Sequence, residues 1–370
     1  MYSTWNDAKK ILCVRLDTIG DVLMTTPAIS ALKNSQCDRH ITLMTSSAGS
    51  AIAPLLIDID DVIVYDSPWL KATAPRKNSE PEYAIINLLR ERDFDAAVIF
   101  TVYSQNPLPT AFLCYMAGIP LTLAHCHENP YQLLTHWIKD PEPEQFIRHE
   151  VQRQLDLVAS VGSTIADRRL KLRIPDAAKV TIQSLLREIE IHQQPWVVIH
   201  PGASAVSRRY PPESFAIVAE KLVRDYDIQV VFTGTESEIE LVEFIRGKMR
   251  SQSHSFVNRL NLGELSALID AAPLLISNNT APVHIAAAVG TPVVDLYALT
   301  NPQHTPWQVP NRVIFHDVPC RICYKSICPE GHHHCLRLVE PETVINATLE
   351  LLSPNTSTSV SNYQLPITSR

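Results

Sequence analysis

Short apolar runs alternate with helical patterns along most of the chain. Ile11–Leu16, Ile41–Met44, Val62–Tyr65 and Ala96–Phe100 each read as a buried strand. Between them lie stretches of helical spacing. In Glu82–Glu91, for instance, Ile85, Ile86, Leu88 and Leu89 make one apolar stripe. Asn106–Ile119 continues the pattern. Arg148–Val161 is amphipathic through Val151, Leu155, Leu157 and Val158, with Gly162 to end it. The stretch His125–Leu134 reads as a loop. A second alternation opens at Trp196–His200 (strand) and continues through Pro212–Tyr226 (helix) and Gln229–Thr233 (strand). Helices Glu236–Met249 and Leu262–Ala271, strand Leu274–Ile276, helix Pro282–Val289 and strand Pro292–Tyr297 follow. Such alternation predicts parallel sheets with helices on both faces, here as two α/β units.

The pattern divides the chain into residues 1–175, a linker over 176–194 that holds a helix near Ala177–Ile191, and a second domain over 195–338. A last amphipathic helix lies within 339–353, and a polar tail over 354–370 has the composition of disorder. Two domains suit 370 residues, since a domain takes roughly 150. A hydrophobic content of 45% and a charged content of 19% are those of an ordinary globular protein. The net charge of −7 leaves no basic footprint for nucleic acid. No apolar run approaches the ~20 residues that span a bilayer. Met1–Asp7 lacks the basic and apolar regions of a secretion signal. The expected location is the cytoplasm, with at most peripheral contact at a membrane face.

Four turns carry candidate chemistry. Asp17-Thr18-Ile19-Gly20-Asp21 joins the first strand to a helix. Gly20 there permits a close backbone approach or a positive φ, and Asp21 can take a proton or cap the helix. Ser277-Asn278-Asn279-Thr280-Ala281 lies between a buried strand and the helix that carries His284. Open α/β sheets bind ligands at such strand ends, and the helix N-terminus favours a phosphate. His284 either reaches that phosphate or packs beneath the helix. Gly202-Ala203-Ser204 precedes Arg208 and Arg209, whose guanidinium forks suit a diphosphate, although an arginine pair is often only a solvated surface. Thr233-Gly234 follows another strand. None of these turns has the G-x-G-x-x-G or P-loop pattern, which weakens readings as a nicotinamide enzyme or an ATPase.

Eight cysteines are present. Cys13, Cys37, Cys114 and Cys126 are scattered. Cys320, Cys323, Cys328 and Cys335 cluster around His332-His333-His334. The spacing invites a zinc or iron–sulfur reading. The alternative is a packed thiol cluster or a labile disulfide.

The segments Arg15–Val22 with Thr25-Thr26-Pro27-Ala28, His200–Ser204 with Arg208–Pro211, and Asn278–Ala288 with Thr300-Asn301-Pro302 resemble, in order, those of glycosyltransferase family 9, the bacterial heptosyltransferases. The resemblance covers roughly residues 9–350. It implies two Rossmann-like domains facing across a cleft (GT-B architecture), the first for the acceptor and the second for a nucleotide-sugar. It implies an inverting transfer of a sugar, by analogy heptose from an ADP-sugar, onto a saccharide or lipid-linked acceptor. Asp21 is then the general base, with Asp17 its competitor. Arg208 stabilises the leaving diphosphate, and Ser204, Arg209, Thr233, Gly234, Asn279, Thr280, Ala281 and His284 line the donor. Asp17, Gly20, Glu128 and Glu150 are acceptor contacts. No metal or other cofactor is expected, so the cysteine cluster is expected to be a packing device. The final helix is expected to return to the first domain. Asn279 and Ala281 depart from the aspartate and glycine of many members, which leaves the sugar open. A lapsed nucleotide-sugar-binding protein, or an epimerase or hydrolase on the same scaffold, are the competing readings.

Overall fold

The computed structural model describes residues 4–70, 73–191 and 194–353. They form two compact units that divide after Lys171. The polar tail expected over 354–370 lies outside the described residues.

The first unit contains β1 (Lys10–Arg15), α1 (Ile19–Asn34), β2 (His40–Thr45), α2 (Ser47–Ser50), β3 (Asp61–Val64), α3 (Glu80–Arg92), β4 (Ala96–Ile99), α4 (Leu108–Ala117), β5 (Leu121–Cys126), β6 (His136–Lys139) and α5 (Glu150–Ala159). Its sheet has the order β3-β2-β1-β4-β5-β6. Every pairing is parallel. α1 packs on α5, and α3 packs on α4. One core joins Leu12, Val14, Ile63, Leu89, Ile99 and Cys114. Pro27 lies inside α1 and cannot donate to the carbonyl one turn back. The Thr26 hydroxyl donates to that Leu23 carbonyl instead, at 2.7 Å. Gly162, with φ of 84°, follows α5 as the pattern predicts. His125 lies in β5 and is buried, which corrects the reading of His125–Leu134 as entirely loop.

The second unit contains α6 (Asp176–Glu188), β7 (Trp196–His200), α7 (Pro212–Tyr226), β8 (Gln229–Phe232), α8 (Ile239–Lys248), β9 (His254–Ser255), α9 (Leu262–Ala271), β10 (Leu275–Asn278), α10 (Ala281–Val289), β11 (Val293–Leu296), β12 (Asn311–Ile314), α11 (His334–Arg337) and α12 (Pro341–Leu352). Its order, β12-β11-β10-β7-β8-β9, is again fully parallel. In both units the strands, numbered from the unit's own first, run 3-2-1-4-5-6. That is the Rossmann order, with the winding reversed between the first and fourth strands.

Two expectations are corrected here. The segment read as a linker belongs to the second unit, because α6 packs on α9. The last helix, expected to return to the first domain, packs on α7, β11 and β12. Val344, Ile345 and Ala347 enter the core beside Phe215, Leu222 and Leu296. Burying that apolar stripe against the second sheet stabilises it locally.

Candidate active site

In a sheet of this order the ligand crevice opens where the winding reverses, at the carboxyl ends of the first and fourth strands. In the first unit these are β1 and β4. β1 is apolar until its last residue, Arg15, whose side chain has no exposed surface. A buried guanidinium requires partners, and three carboxylates surround this one. Nε lies 3.0 Å from Asp17 Oδ2, Nη2 3.2 Å from Asp21 Oδ1, and Nη1 2.6 Å from Glu150 Oε1. Gln105, from the loop after β4, donates to Asp17 Oδ1 at 2.6 Å and so ties the two strand ends together.

Asp21 both caps and faces outward. Its Oδ2 accepts from the Thr18 N–H at 3.1 Å and the Thr18 hydroxyl at 2.8 Å. The side chains of Asp21 and Asp17 keep 16% and 18% exposure, against zero for Glu150. Only the two aspartates can therefore reach a ligand. Burial pushes the Asp17 carboxyl up to about 6, against the pull of Arg15 and with the help of Asp21. Glu150, Asp17 and Asp21 together hold Arg15 above its ordinary value although burial opposes its charge. Gly20 sits in the first turn of α1 and does not use a positive φ. Glu128 is exposed in the loop after β5 and accepts from Asn106 at 2.9 Å.

The second unit repeats the arrangement at the ends of β7 and β10. Asn278 closes β10. Its amide donates to the Pro201 carbonyl at 2.7 Å, and its oxygen accepts from the Tyr210 N–H at 3.0 Å. The loop holding Gly202–Arg209 is thereby fixed at both ends. Gly202 leaves room for the Glu238 carboxylate, which a Cβ there would meet at 1.6 Å and push aside. Glu238 in turn accepts from the Thr235 N–H at 2.7 Å and lines the Gly234 turn. Thr233 is buried with its hydroxyl 3.1 Å from His200 Nδ1. Burial lowers the His200 pKa.

Arg208 is half-buried in a short 3-10 turn, Val206–Arg208. Its charge acts on Asp295 and Tyr297. Arg209 and Ser204 are exposed, and Arg209 Nε donates to the Ala203 carbonyl at 2.8 Å. Thr280 caps α10 and donates to the Asn278 carbonyl at 3.2 Å. Ala281 is the first residue of α10, and His284 is buried beneath it. Asn279 turns inward, donating 2.9 Å bonds to Asp295 Oδ2 and the His304 carbonyl. Asp295 has no exposed surface, and burial raises its carboxyl well above the usual range.

The four clustered cysteines are free thiols. They line one small cavity with His332, His333, Thr300 and Ser207. Among the described residues no group of three or more histidine, cysteine, aspartate or glutamate side chains is arranged to hold a metal ion. Ser207 N–H donates to the Ser326 carbonyl at 3.1 Å, and its hydroxyl donates to the Lys325 carbonyl at 2.7 Å. The turn that carries Arg208 is thus bolted to the cysteine segment.

Sequence reasoning passed over Arg15, Gln105 and Asp295 as parts of these sites. The signal for Arg15 was present, as a cation at the end of an apolar strand implies a buried carboxylate.

Two Rossmann-ordered sheets, each with polar groups gathered at its reversal point, define an α/β protein of two Rossmann-like units. Residues 83–334 match the profile of glycosyltransferase family 9 (heptosyltransferase), and the chain belongs to that family. It is 31% identical over 160 residues to lipooligosaccharide heptosyltransferase 2 of Campylobacter jejuni, a match covering 42% of this chain and half of that protein's length. The fold is that of a glycosyltransferase of family 9 from Veillonella parvula, with a TM-score of 0.78, 23% identity and coverage of 95% and 98% of the two chains. The E. coli ADP-heptose lipopolysaccharide heptosyltransferase II superposes with a TM-score of 0.70, at 21% identity and 93% and 98% coverage. No helix among the described residues is long and apolar enough to cross a membrane.

Proposed function

We propose that this chain is an inverting glycosyltransferase. It moves a heptose from an ADP-heptose-type donor onto a saccharide or lipid-linked glycan, with Asp21 as general base. One observation carries the reading: Asp21 is a partly exposed carboxylate, fixed by Arg15 and Thr18 at the crevice of a Rossmann-ordered sheet. The acceptor hydroxyl gives its proton to Asp21 as its oxygen bonds the anomeric carbon. The bond from that carbon to the diphosphate oxygen breaks, and ADP leaves with the electron pair. General-base help of this kind is worth about 10²–10⁴ in rate. The leaving diphosphate gains charge, and a guanidinium and a helix N-terminus stabilise it without a metal. Arg208 and the start of α10 are assigned that work. The ADP-heptose assignment is supported by family membership and by the substrate in the name of the E. coli neighbour. An acceptor at a membrane face would be met by peripheral contact.

Thermal shift with a panel of ADP-, GDP- and UDP-sugars tests the donor. A true donor at ~100 times its dissociation constant adds about 2.7 kcal/mol. Equal, small shifts across the panel would sink the assignment.

A further inference from the structure

We propose that Glu150 is a positioning residue for Asp21: it anchors the Arg15 guanidinium that aims the base, and it divides that guanidinium's charge. The proposal rests on the reading of Asp21 as the base. It also moves Glu150 away from the acceptor contact suggested by its sequence.

The geometry is specific. Arg15 offers three edges and meets three carboxylates, one on each. Two of these, Asp17 and Asp21, lie on the crevice side and keep some exposure, while Glu150 is sealed behind the guanidinium. Glu150 opens α5, and α5 packs on α1, the helix that carries Asp21. The anchor and the base therefore sit on two packed helices with one cation between them.

Glu150 is itself held. Its Oε1 accepts from Arg15 at 2.6 Å and from Gln154 at 2.6 Å, while Oε2 is buried with no hydrogen-bond partner among the described residues. A buried carboxylate left half-satisfied is costly, and a group kept only for packing would be replaced by an amide without loss. Its negative charge is what the site uses. One positive charge shared by three carboxylates leaves each less stabilised as an anion than a one-to-one pair would. Glu150 takes the shortest of the three contacts. By drawing on the guanidinium from behind, it keeps Asp21 oriented while sparing it the full pull of the cation, so the base retains its affinity for a proton. Arg15 from β1 pairs with Asp21 directly, Asp17 from the turn and Asp21 repel each other, and Glu150 from α5 acts on both Arg15 and Asp17.

Glu150→Gln tests this, because it keeps the shape and an acceptor oxygen for Arg15 and removes the charge. Carbon-13 carboxyl titration of the whole protein, with the Asp21 signal assigned by its loss in Asp21→Asn, needs no acceptor. The Asp21 titration is expected to move down by about one pH unit. With ADP-heptose and a lipopolysaccharide core glycan, kcat is expected to fall about tenfold, its acidic limb shifting down with the titration, at unchanged acceptor KM. An unmoved titration, or a raised acceptor KM with an unmoved limb, would overturn the proposal. Should the Gln variant not fold, Glu150→Asp keeps the charge but draws it back from Arg15. A smaller shift in the same direction supports the proposal, and no shift overturns it. Near-normal turnover in Asp21→Asn would instead defeat the general-base reading. A dead Asp21→Asn with an unmoved Glu150→Gln titration would defeat only the positioning role.

Discussion

The amide of Asn279 donates to the buried carboxylate of Asp295 at 2.9 Å. Asn279 therefore does structural work here, because an aspartate at 279 would set two carboxylates face to face away from water. Asn279→Asp is expected to cost on the order of 3 kcal/mol, with a larger loss of melting temperature at pH 8 than at pH 5. Adding Asp295→Asn should restore most of the loss. Equal melting of Asn279→Asp and the parent at pH 8 would show that the pair is not coupled.

Asp21→Asn is expected to lower turnover by about 10²–10⁴ while donor affinity and the circular dichroism spectrum stay unchanged. The amide still accepts from Thr18, so the start of α1 survives. Near-normal turnover would transfer the role of base to Asp17, which is held beside the same guanidinium.

Asp17 gives a pH signature in stability. Its carboxyl is pushed from 3.8 to about 6 in the native state. Between those values the native protein holds a proton that the unfolded chain has released. Stability from this group is thus full below the lower value and declines as pH rises through the upper one. Denaturation across that window should show the decline, and Asp17→Asn should flatten it. A decline that persists in the variant would assign it to another group.

Arg208→Ala is expected to weaken ADP binding by about 1.5–3 kcal/mol, roughly 10- to 150-fold. Arg209→Ala should weaken it less, since Arg209 is exposed and its Nε is committed to the Ala203 carbonyl. Calorimetry with ADP compares the two. Unchanged affinity in both would make them surface charges.

Protein purified without a histidine tag should contain substoichiometric zinc and iron, and a chelator should spare turnover. One tightly held metal per chain would overturn the thiol-only account of Cys320, Cys323, Cys328 and Cys335. If chelation then melted the protein before its rate fell, the site would be a structural one.

Much of the architecture is written locally. Trp196–His200, Pro212–Tyr226 and Leu262–Ala271 run between the same residues in the pattern and in the structure. Each combines an uninterrupted apolar period with a clear breaker. β6 escaped notice because His136–Lys139 is a four-residue edge strand that alternates half-buried and exposed positions. The destination of α12 was beyond reach for a different reason: an amphipathic stripe specifies that a helix is buried, not which sheet buries it. The site divides in the same way. Asp21 and Arg208 stand out because a turn at a strand end is a local pattern. The Arg15–Glu150 pair spans 135 positions, and Asn279 meets Asp295 only because β10 and β11 lie side by side.

The two hydrogen bonds from Ser207 make the arginine turn and the cysteine-rich segment a single lever. Its backbone N–H and its hydroxyl are both committed to consecutive carbonyls, those of Ser326 and Lys325. The next residue along is Arg208. Ser207 also lines the small cavity that the four thiols share. The residue before Arg208 is therefore a wall of the sulfur cluster as well as the fastening of its own turn.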